Sequence, residues 1–541
     1  MFDLIIKAFK PEVRPFRVAL ALLFLASFLL TMWMAFFVPL YGDEPAWKLI
    51  GARLFIDTGK LLYFFPQCDA GQWIDIPLTW YPARLIDTWI YQDASNPWLL
   101  RNISWLLFCV LLTSWTAILH ITSRMSLLNS GLFVTSFLSF GVLPFLMVFN
   151  RPEQSLLVWL TAGFCVMLWF EKHRVSGLAG KFLLTIFFGL LACLLAASHP
   201  KGLFFFPVVL LAWWRTVQSL PLGLGLLGIM ALAALDTTHV WQARTACAES
   251  PWLGKIFQSL SLQPQQLWQN PSEFLSAGKA NLTTFWAYVG SIQFQPEYQS
   301  MWLPATPQVS SSVLSGVLVN ALTWLPLLVA ATVTGLNLGR QYWRREAGWW
   351  TMALMLALSL GTLIFLQSNK NFYESSIVFP IVLLVCVFSF TRQDGAGHRI
   401  LTHVLLPIML VTATLSAYTR YDLFWGPAQT WQAERMHGPG DIAELGSFAK
   451  DQCNISAESE NLILDLSTYH AFWQHRRPMF MPYVTGWWAT GTNYVETLAK
   501  RNPGGLVTSC QGIPTEMTGI IKRSRGYCCA SAVDLRQFSH P

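Results

Sequence analysis

Charged residues are scarce in this sequence. Asp, Glu, Lys and Arg together make up 12% of the 541 residues, about half of the roughly 25% that is usual in soluble domains. Hydrophobic residues make up 54% of the chain and aromatic residues 14%. This composition excludes a disordered chain, a small disulfide-stapled protein and an ordinary cytosolic enzyme. It indicates a membrane protein with substantial parts outside the bilayer.

Three further patterns are lacking, and each argues against a class of protein or site. No CxxC or His/Cys spacing supports a zinc site. There is no internal repeat, and the middles of the apolar segments carry few polar residues, which argues against a transporter. The first apolar run has no small-residue cleavage pattern, so it predicts an uncleaved anchor rather than a secretory signal.

Long apolar runs are abundant. A helix needs roughly 20 apolar residues to cross a bilayer, and this criterion predicts about eleven membrane helices. They lie near 17–40, 99–120, 127–148, 153–170, 182–198, 203–219, 220–238, 312–335, 347–367, 374–391 and 400–418. The pair 203–219 and 220–238 is open to a second interpretation, as one span and a re-entrant piece. The expected fold is an all-α polytopic membrane domain over 1–418, followed by a small soluble α/β domain over 419–541.

The distribution of basic residues predicts the orientation of these helices. An excess of Lys and Arg marks cytoplasmic loops. With a cytoplasmic N-terminus, the predicted inner loops hold Arg124; Lys172, Arg174 and Lys181; Arg215; Arg340, Arg344 and Arg345; and Arg392 and Arg399. The short outer loops hold one basic residue each. The long segments 41–97, 237–311 and 419–541 are therefore expected to face outward.

Six of the ten cysteines fall in these outward segments, which predicts disulfides. We expect Cys453 and Cys510 to bond to the adjacent pair Cys528 and Cys529, and Cys68 to bond to Cys247. The tail around them alternates strands with helices, which predicts an α/β domain. The expected strands are Asn461–Leu466 and Gly505–Cys510, and the expected helices are Ser467–His475 and Asn493–Arg501.

An acidic pair, Asp43 and Glu44, lies where the first span leaves the membrane. Pro45 suits the first turn of a helix, and an apolar stripe follows at helical spacing until Gly59, with Lys48 on another side. The pair has two interpretations: it caps this interfacial helix, or it forms an acid/base or cation site.

Other outer helix ends supply positive charge. Three short polar segments interrupt the apolar helices: Asn150–Glu153, Ser198–Gly202 and Ser368–Glu374. They predict that Arg151, Glu153, His199, Lys201, Lys370 and Tyr373 bind an anionic substrate, with the cations gripping a phosphate at headgroup depth. The alternative for each is ordinary anchoring at the interface.

These motifs resemble those of the GT-C class of integral-membrane glycosyltransferases. Residues 43–65, with the acidic pair, are similar to the aminoarabinose and protein-mannose transferases. The Arg-Pro-Glu and His-Pro-Lys-Gly segments at 151–153 and 199–202 look more like the arabinofuranosyltransferases, and the length suits the type IV pilin arabinosyltransferases best.

The resemblance implies a reaction and a place in the cell. A sugar, D-arabinofuranose by this likeness, would move with inversion from a polyprenyl-phosphate donor to an acceptor hydroxyl, on pilin, on a glycan or on a lipid, in the periplasm of a bacterium. The protein would sit in the inner membrane. Asp43 would be the general base, with Glu44 as second choice or helper. No cofactor and no nucleic acid would be needed, and a divalent cation at Asp43 or Glu44 stays open.

Three other functions are compatible with the sequence. A related transferase would use mannose, aminoarabinose or a longer glycan. A transporter of lipid-linked glycans would need polar residues across the mid-membrane. A membrane scaffold with an outer interaction domain would not depend on Asp43.

Overall fold

The structure is a computed structural model of the chain. It describes residues 14–37, 48, 51–52, 55–56, 58–65, 72–91, 99–123, 125–139, 143–173, 175–245, 262–291, 350–367, 401–433, 439–456, 459, 461–464, 468–472, 479–480, 502–510, 513, 517–524 and 527–539.

Most of the described residues are helical. The α-helices are α1 (Arg14–Phe37), α2 (Tyr81–Tyr91), α3 (Leu99–Ser123), α4 (Leu127–Phe137), α5 (Leu143–Val148), α6 (Pro152–Lys172), α7 (Leu178–Ser198), α8 (Phe206–Val217), α9 (Leu220–Thr245), α10 (Pro264–Gln269), α11 (Pro271–Ser291), α12 (Trp350–Leu366), α13 (Leu406–Ala433), α14 (Pro439–Cys453), α15 (Tyr469–Phe472) and α16 (Ala532–Ser539). Two 3₁₀ helices, Leu78–Trp80 and Pro200–Phe205, precede α2 and α8, and a π-helical stretch, Leu401–Leu405, precedes α13.

The strands are few and short. They are β1 (Leu62–Phe65), β2 (Gln72–Asp75), β3 (Leu462–Leu464), β4 (Met479–Phe480), β5 (Gly505–Ser509), β6 (Lys522–Ser524) and β7 (Tyr527–Ser531). The chain divides into two compact units. The first comprises Met1–Val38, Arg101–Leu232 and Leu262–Thr430, and the second comprises Pro39–Leu100, Ala233–Ser261 and Trp431–Pro541.

Five of the described helices are long and apolar enough to cross a membrane: α1, α3, α6, α7 and α9. Three shorter apolar helical segments, Leu127–Phe137, Leu354–Leu366 and Thr402–Tyr418, coincide with further predicted spans. The predicted spans 312–335 and 374–391 lie outside the described residues. These lengths and compositions indicate a multi-pass membrane protein.

The predicted span 127–148 is not described as one continuous helix. The structure divides it into α4, which ends at Phe137, and α5, which begins at Leu143. Pro144 explains why a new helix starts there, since proline has no N–H to donate and fits only the first turn of a helix.

The first unit is built around α6, α7 and α8, which all pack against one another. Small residues allow close approach between its helices. A Cβ atom on Gly163 of α6 would stand 2.8 Å from Leu191 of α7. The indole N–H of Trp213 on α8 donates to the Thr185 hydroxyl on α7 at 2.9 Å, which ties a third helix to the pair.

Helix α6 makes charged contacts at both ends. Glu153 in its first turn faces Lys201, which follows α7, and Glu171 in its last turn pairs with Arg215 at the end of α8. At 1.5 Å per residue, the 18 residues from Glu153 to Glu171 span about 27 Å. This is close to the roughly 30 Å of a bilayer's hydrocarbon core, so the two charged ends suit its two boundaries.

The second unit includes the start of the predicted first outer loop. The described residues between Lys48 and Thr58 are helical, and Gly59 follows with a φ of +67°, its N–H donating to the Phe55 carbonyl at 2.8 Å. The predicted helix end at Gly59 is confirmed, since this left-handed conformation favours glycine. An antiparallel hairpin, β1 with β2, comes next and was not predicted.

The C-terminal part of the second unit contains a five-stranded sheet in the order β4-β3-β5-β7-β6. Strand β3 is parallel to β4 and β5, whereas β7 is antiparallel to β5 and β6. Helices α14 and α16 pack on β7. Strands β3 and β5 lie within the predicted strands 461–466 and 505–510, whereas residues 465–466 and the predicted helix 493–501 lie outside the described residues.

Two disulfides fasten this sheet. Cys453 at the end of α14 bonds to Cys529, and Cys510 after β5 bonds to Cys528. Successive residues of β7 point to opposite faces, so the adjacent cysteines reach partners on both sides of the strand. The predicted pairing of these four cysteines is confirmed. The predicted Cys68–Cys247 bond lies outside the described residues.

Candidate functional site

The N-terminus of α6 concentrates charge at one end of the first unit. Arg151 is the N-cap residue in an extended conformation, Pro152 occupies the first turn, and Glu153 follows in that turn. Proline is favoured there because its missing N–H has no helical partner to lose, and the carboxylate lies near the positive end of the helix dipole. This local sequence therefore places Arg151 and Glu153 together.

A tight turn between α7 and α8 brings a second group of polar residues. His199 caps the 3₁₀ helix, and its Nδ1 accepts a hydrogen bond from the Lys201 backbone N–H at 3.1 Å. This acceptor role leaves the ring proton of a neutral His199 on Nε2. Gly202 follows, where a Cβ atom would stand 2.1 Å from the Leu195 carbonyl oxygen. Only glycine permits this close approach of the turn to α7.

The two segments meet although about 50 residues separate them in the chain. Arg151 Nε donates to Glu153 Oε2 at 3.3 Å, and Lys201 Nζ lies 3.9 Å from Glu153 Oε1. The exposed fractions are 6% for Arg151, 4% for Glu153 and 7% for Lys201. His199 is also within electrostatic reach of the Glu153 carboxylate. We call Arg151, Glu153, His199 and Lys201 the charged cluster.

Two further polar residues support the Arg151 end of the cluster, and neither was predicted, because each lies within an apolar helix with no motif around it. Arg101 is fully buried, donates to the Ala35 carbonyl at 3.0 Å and lies 4.4 Å from the centre of the Phe149 ring. The Gln154 amide donates to the Ser104 and Met147 carbonyls at 2.8 Å each. These contacts fix the chain on both sides of Arg151.

The electrostatics of the charged cluster suit an anion. Its members carry two positive charges and one negative charge while His199 is neutral, and the N-terminus of α6 adds a partial positive charge. Backbone N–H groups at a helix N-terminus and buried cationic side chains are the usual ligands of phosphate in proteins. Glu153 contacts both cations, so it orients them toward a common point.

The other predicted site residues are not tested by the structure. Asp43, Glu44, Lys370 and Tyr373 lie outside the described residues, and so does any cation site that Asp43 or Glu44 would form. Within the part of the chain that the structure describes, no group of three His, Cys, Asp or Glu residues could hold a metal ion.

Comparison with known proteins gives likeness at the level of structure only. No protein-family model matches the chain. No curated protein sequence matches it either.

Among solved structures, the chain is similar to ArnT from Cupriavidus metallidurans bound to undecaprenyl phosphate. The TM-score is 0.46 and the sequence identity 13%, over 96% of this chain and 99% of that one. It is also similar to the Archaeoglobus fulgidus oligosaccharyltransferase in complex with zinc and sulfate, with a TM-score of 0.45 and 12% identity over 91% of this chain and 67% of that one.

A further similar structure is the Archaeoglobus fulgidus oligosaccharyltransferase AglB with an inhibitory peptide and a dolichol-phosphate. Its TM-score is 0.42 and its identity 11%, over 90% of this chain and 69% of that one. At these scores the likeness decides neither the family nor the activity of this chain, which are argued from its own residues.

Proposed function

We propose that this protein is a membrane glycosyltransferase of the GT-C type. It transfers a sugar from a polyprenyl-phosphate donor to an acceptor hydroxyl, and the charged cluster binds the donor phosphate. The observation that carries this proposal is the meeting of Arg151, Glu153 and Lys201 at one end of apolar helices, with all three side chains buried. A lipid-linked phosphate needs cationic groups at this boundary between apolar and polar surroundings.

The chemistry follows from the charge that develops during transfer. As the bond between the anomeric carbon and the phosphate oxygen breaks, negative charge grows on the departing phosphate. Arg151 and Lys201 stabilise that charge, and His199 can donate its Nε2 proton in a hydrogen bond. Preorganised donors of this kind typically account for factors of about 10²–10³ in rate each. Glu153 acts as a positioning residue, since both its oxygens face a cation of the cluster.

The acceptor hydroxyl is activated by residues of the first outer loop. Asp43 is the proposed general base, which takes the proton of the acceptor hydroxyl as the new glycosidic bond forms. Glu44 orients the acceptor or substitutes as base. General-base catalysis contributes about 10²–10⁴-fold. A phosphate leaving group needs no strong general acid, so the proposed reaction implies no strict metal requirement, and a divalent cation at Asp43 or Glu44 is compatible with it.

The finer assignment rests on the motifs at 151–153 and 199–202. Their resemblance to arabinofuranosyltransferases supports D-arabinofuranose as the sugar, inversion at the anomeric carbon, and a serine or threonine of type IV pilin as the acceptor. The same resemblance supports a location in the bacterial inner membrane, with the C-terminal segment in the periplasm.

Mass spectrometry of pilin and envelope glycans tests this proposal in cells. Cells that produce the wild-type chain are expected to carry a pentose on pilin. The pentose is expected to be missing in cells that lack the chain, and in cells whose membranes contain normal amounts of the Asp43→Asn variant. A hexose or an aminoarabinose, or a modified glycan in place of pilin, would replace the finer assignment. An unchanged glycan profile without the chain would contradict the transferase itself.

A further inference from the structure

Helices α10 and α11 pack against each other at the end of α12, and all three belong to the first unit. Helix α12 is predominantly apolar from Trp350 to Leu366, which is a length of about 25 Å at 1.5 Å per residue. The polar sequence 367–371 follows directly. This change from apolar to polar sequence indicates that Leu366 lies at a membrane boundary. In the predicted orientation it is the boundary of the outer leaflet.

Three successive turns of α11 contact one residue at this boundary. The centres of the Phe274 and Phe365 rings lie 5.7 Å apart, and a Cβ on Gly278 would overlap the Phe365 ring. The Asn281 amide donates to the Phe365 carbonyl at 2.8 Å. Helices that pack side by side would meet at a new residue in each turn. Helix α11 therefore crosses the end of α12, as a helix along the membrane surface crosses one that enters the membrane.

The start of α10 is held at the same boundary. The Leu262 N–H, two residues before α10 begins, donates to the Leu366 carbonyl at 2.7 Å. Trp268 follows six residues later, and its side chain is 82% exposed. An exposed tryptophan at this depth is typical of a side chain that anchors a protein in the membrane interface.

Helix α11 carries an apolar stripe beside the face that contacts α12. Leu275 and Leu282, two turns apart on one side of the helix, are both exposed. Lys279 lies at the edge of this stripe, where a long side chain can keep its ammonium group in water. The exposed polar residues Glu273 and Thr284 lie on the opposite side. This distribution is typical of a helix that lies in the membrane interface.

The side of α12 that contacts α11 indicates what covers the apolar stripe. Leu354 and Leu358 of α12 are exposed, as expected of residues that face lipid in a membrane helix. At 3.6 residues per turn, Phe365 falls on the same side of α12, between these two leucines. The stripe on α11 is therefore continuous with a lipid-facing surface of α12.

We propose that α10 and α11 form an interfacial anchor, which binds the phospholipid surface at the leaflet where α12 ends. Trp268, Leu275 and Leu282 insert between the headgroups and the upper parts of the acyl chains. The anchor holds the predicted second outer loop at headgroup depth. The proposal rests on the contacts of the first unit and not on sugar transfer, so it holds whatever reaction the chain performs.

Photocrosslinking of the full chain in phosphatidylcholine nanodiscs tests this proposal. The amino acid p-benzoylphenylalanine reacts with nearby C–H bonds under ultraviolet light. It replaces Trp268 in one variant and Leu275 in a second. The matched control carries it in place of Thr284, an exposed residue on the side of α11 opposite Leu275. Mass spectrometry of the digested chain distinguishes lipid adducts from adducts with protein segments.

The proposal predicts lipid adducts at positions 268 and 275 that are several-fold more abundant than at position 284. Equal yields of lipid adduct at all three positions would overturn it, because the contact would not depend on the apolar side of α11. Adducts with protein in place of lipid at 268 and 275 would also overturn it, whether the protein is this chain, a second copy or another partner. The absence of lipid adducts at both positions would have the same consequence.

A double substitution tests the same contact without a reactive group. Trp268→Gln with Leu275→Gln removes two of the three inserted side chains. It is expected to speed amide hydrogen exchange over residues 264–284 several-fold in nanodiscs, whereas Thr284→Gln leaves this exchange unchanged. Exchange over 178–198 in α7 stays at the wild-type rate if the double variant is folded. Equal exchange over 264–284 in the folded double variant and the wild type would overturn the anchor.

Discussion

At the scale of single residues, Glu153 has the clearest physical role. Its carboxylate faces Arg151 and Lys201 in surroundings that exclude most water. A buried ion pair contributes little net stability by comparison with apolar residues, yet removal of one partner leaves a charge whose desolvation is no longer compensated. The cluster therefore depends on its one carboxylate for stability as well as for the orientation of the cations.

Glu153→Gln is expected to lower the free energy of unfolding by roughly 3–5 kcal/mol, because two buried cations lose their counter-charge. Thermal unfolding of the purified protein in detergent measures this effect. Asp451→Asn, at an exposed acid of α14, serves as the control and is expected to change stability by less than about 0.5 kcal/mol. Equal midpoints for Glu153→Gln and the wild type would contradict the account.

Asp87 gives a prediction that depends on pH. Burial raises the pKa of its carboxyl above the ordinary value of 3.8, although the charges of Lys48 and Arg84 act to lower it, so the folded chain binds this proton more tightly than the unfolded chain does. The resulting stabilisation is fully present below the ordinary pKa and is lost as the pH rises through the raised value. Asp87→Asn removes this titration, although it also weakens the ion pair with Arg84, whose Nη1 lies 3.2 Å from Asp87 Oδ2.

The difference in melting temperature, Asp87→Asn minus wild type, is therefore expected to become more positive as the pH rises from about 4 to about 7. The measurement is thermal unfolding of both proteins across that pH range at constant salt. A difference that stays constant, or becomes more negative toward neutral pH, would show that burial does not dominate at Asp87.

The sequence predicted part of the candidate site at this scale. Arg151, Glu153, His199 and Lys201 stand out because polar residues interrupt long apolar runs. Lys48 was placed off the apolar stripe of its helix, yet the structure buries it near Tyr91. Helical spacing shows which residues share a face, but it does not show which other element covers that face.

At the scale of structural elements, the turn between α7 and α8 determines where Lys201 lies. A Cβ on Gly202 would overlap the Leu195 carbonyl oxygen. Because the carbonyl oxygen belongs to the backbone and a Cβ is fixed to it, the overlap can be removed only by a shift of the backbone itself. Lys201 precedes Gly202 directly and would shift with it.

Gly202→Ala is expected to destabilise the protein by about 1–3 kcal/mol, as overpacking does. The measurement is the midpoint of thermal unfolding. The matched control is Gly228→Ala in α9, where no described atom lies within 4 Å of the added methyl. In that control the free energy of unfolding is expected to stay the same or to rise by up to about 1 kcal/mol, because alanine has a higher helix propensity than glycine. Similar midpoints for the two variants would exclude close packing at Gly202.

Helices formed by long apolar runs could be predicted from the sequence, whereas the short hairpin and the break between two helices could not. Helices α1, α3, α6, α7 and α9 follow from run length alone. The β1–β2 hairpin has strands of four residues, which is too short for alternation of apolar and polar residues to be distinctive. The break between α4 and α5 was hidden by the apolar residues on both sides of it.

At the scale of the whole molecule, the two disulfides differ in how much chain they close. Cys453–Cys529 spans 76 residues and Cys510–Cys528 spans 18. In the chain-entropy account, a disulfide stabilises the folded protein by restricting the unfolded state, and a disulfide that closes a longer loop stabilises it more. Both bonds also hold the five-stranded sheet.

Replacement of Cys453 and Cys529 by serine is expected to destabilise the sheet by about 1 kcal/mol more than replacement of Cys510 and Cys528. Chemical unfolding of the full chain, followed by exchange at residues 505–509, measures both changes at the same strand. A larger loss from the shorter loop would contradict the entropic account of these bonds.

The transferase proposal is tested most directly by the purified chain in nanodiscs. The measurement is the acceptor-dependent rate at which polyprenyl phosphate is released from a polyprenyl-phosphate arabinofuranose. The account predicts steady release by the wild type and by Lys279→Gln, whose lysine is exposed on α11. It predicts a rate about 10²–10³-fold lower for folded Arg151→Gln. No release from any lipid-linked sugar by the folded wild type, or an undiminished rate in Arg151→Gln, would contradict it.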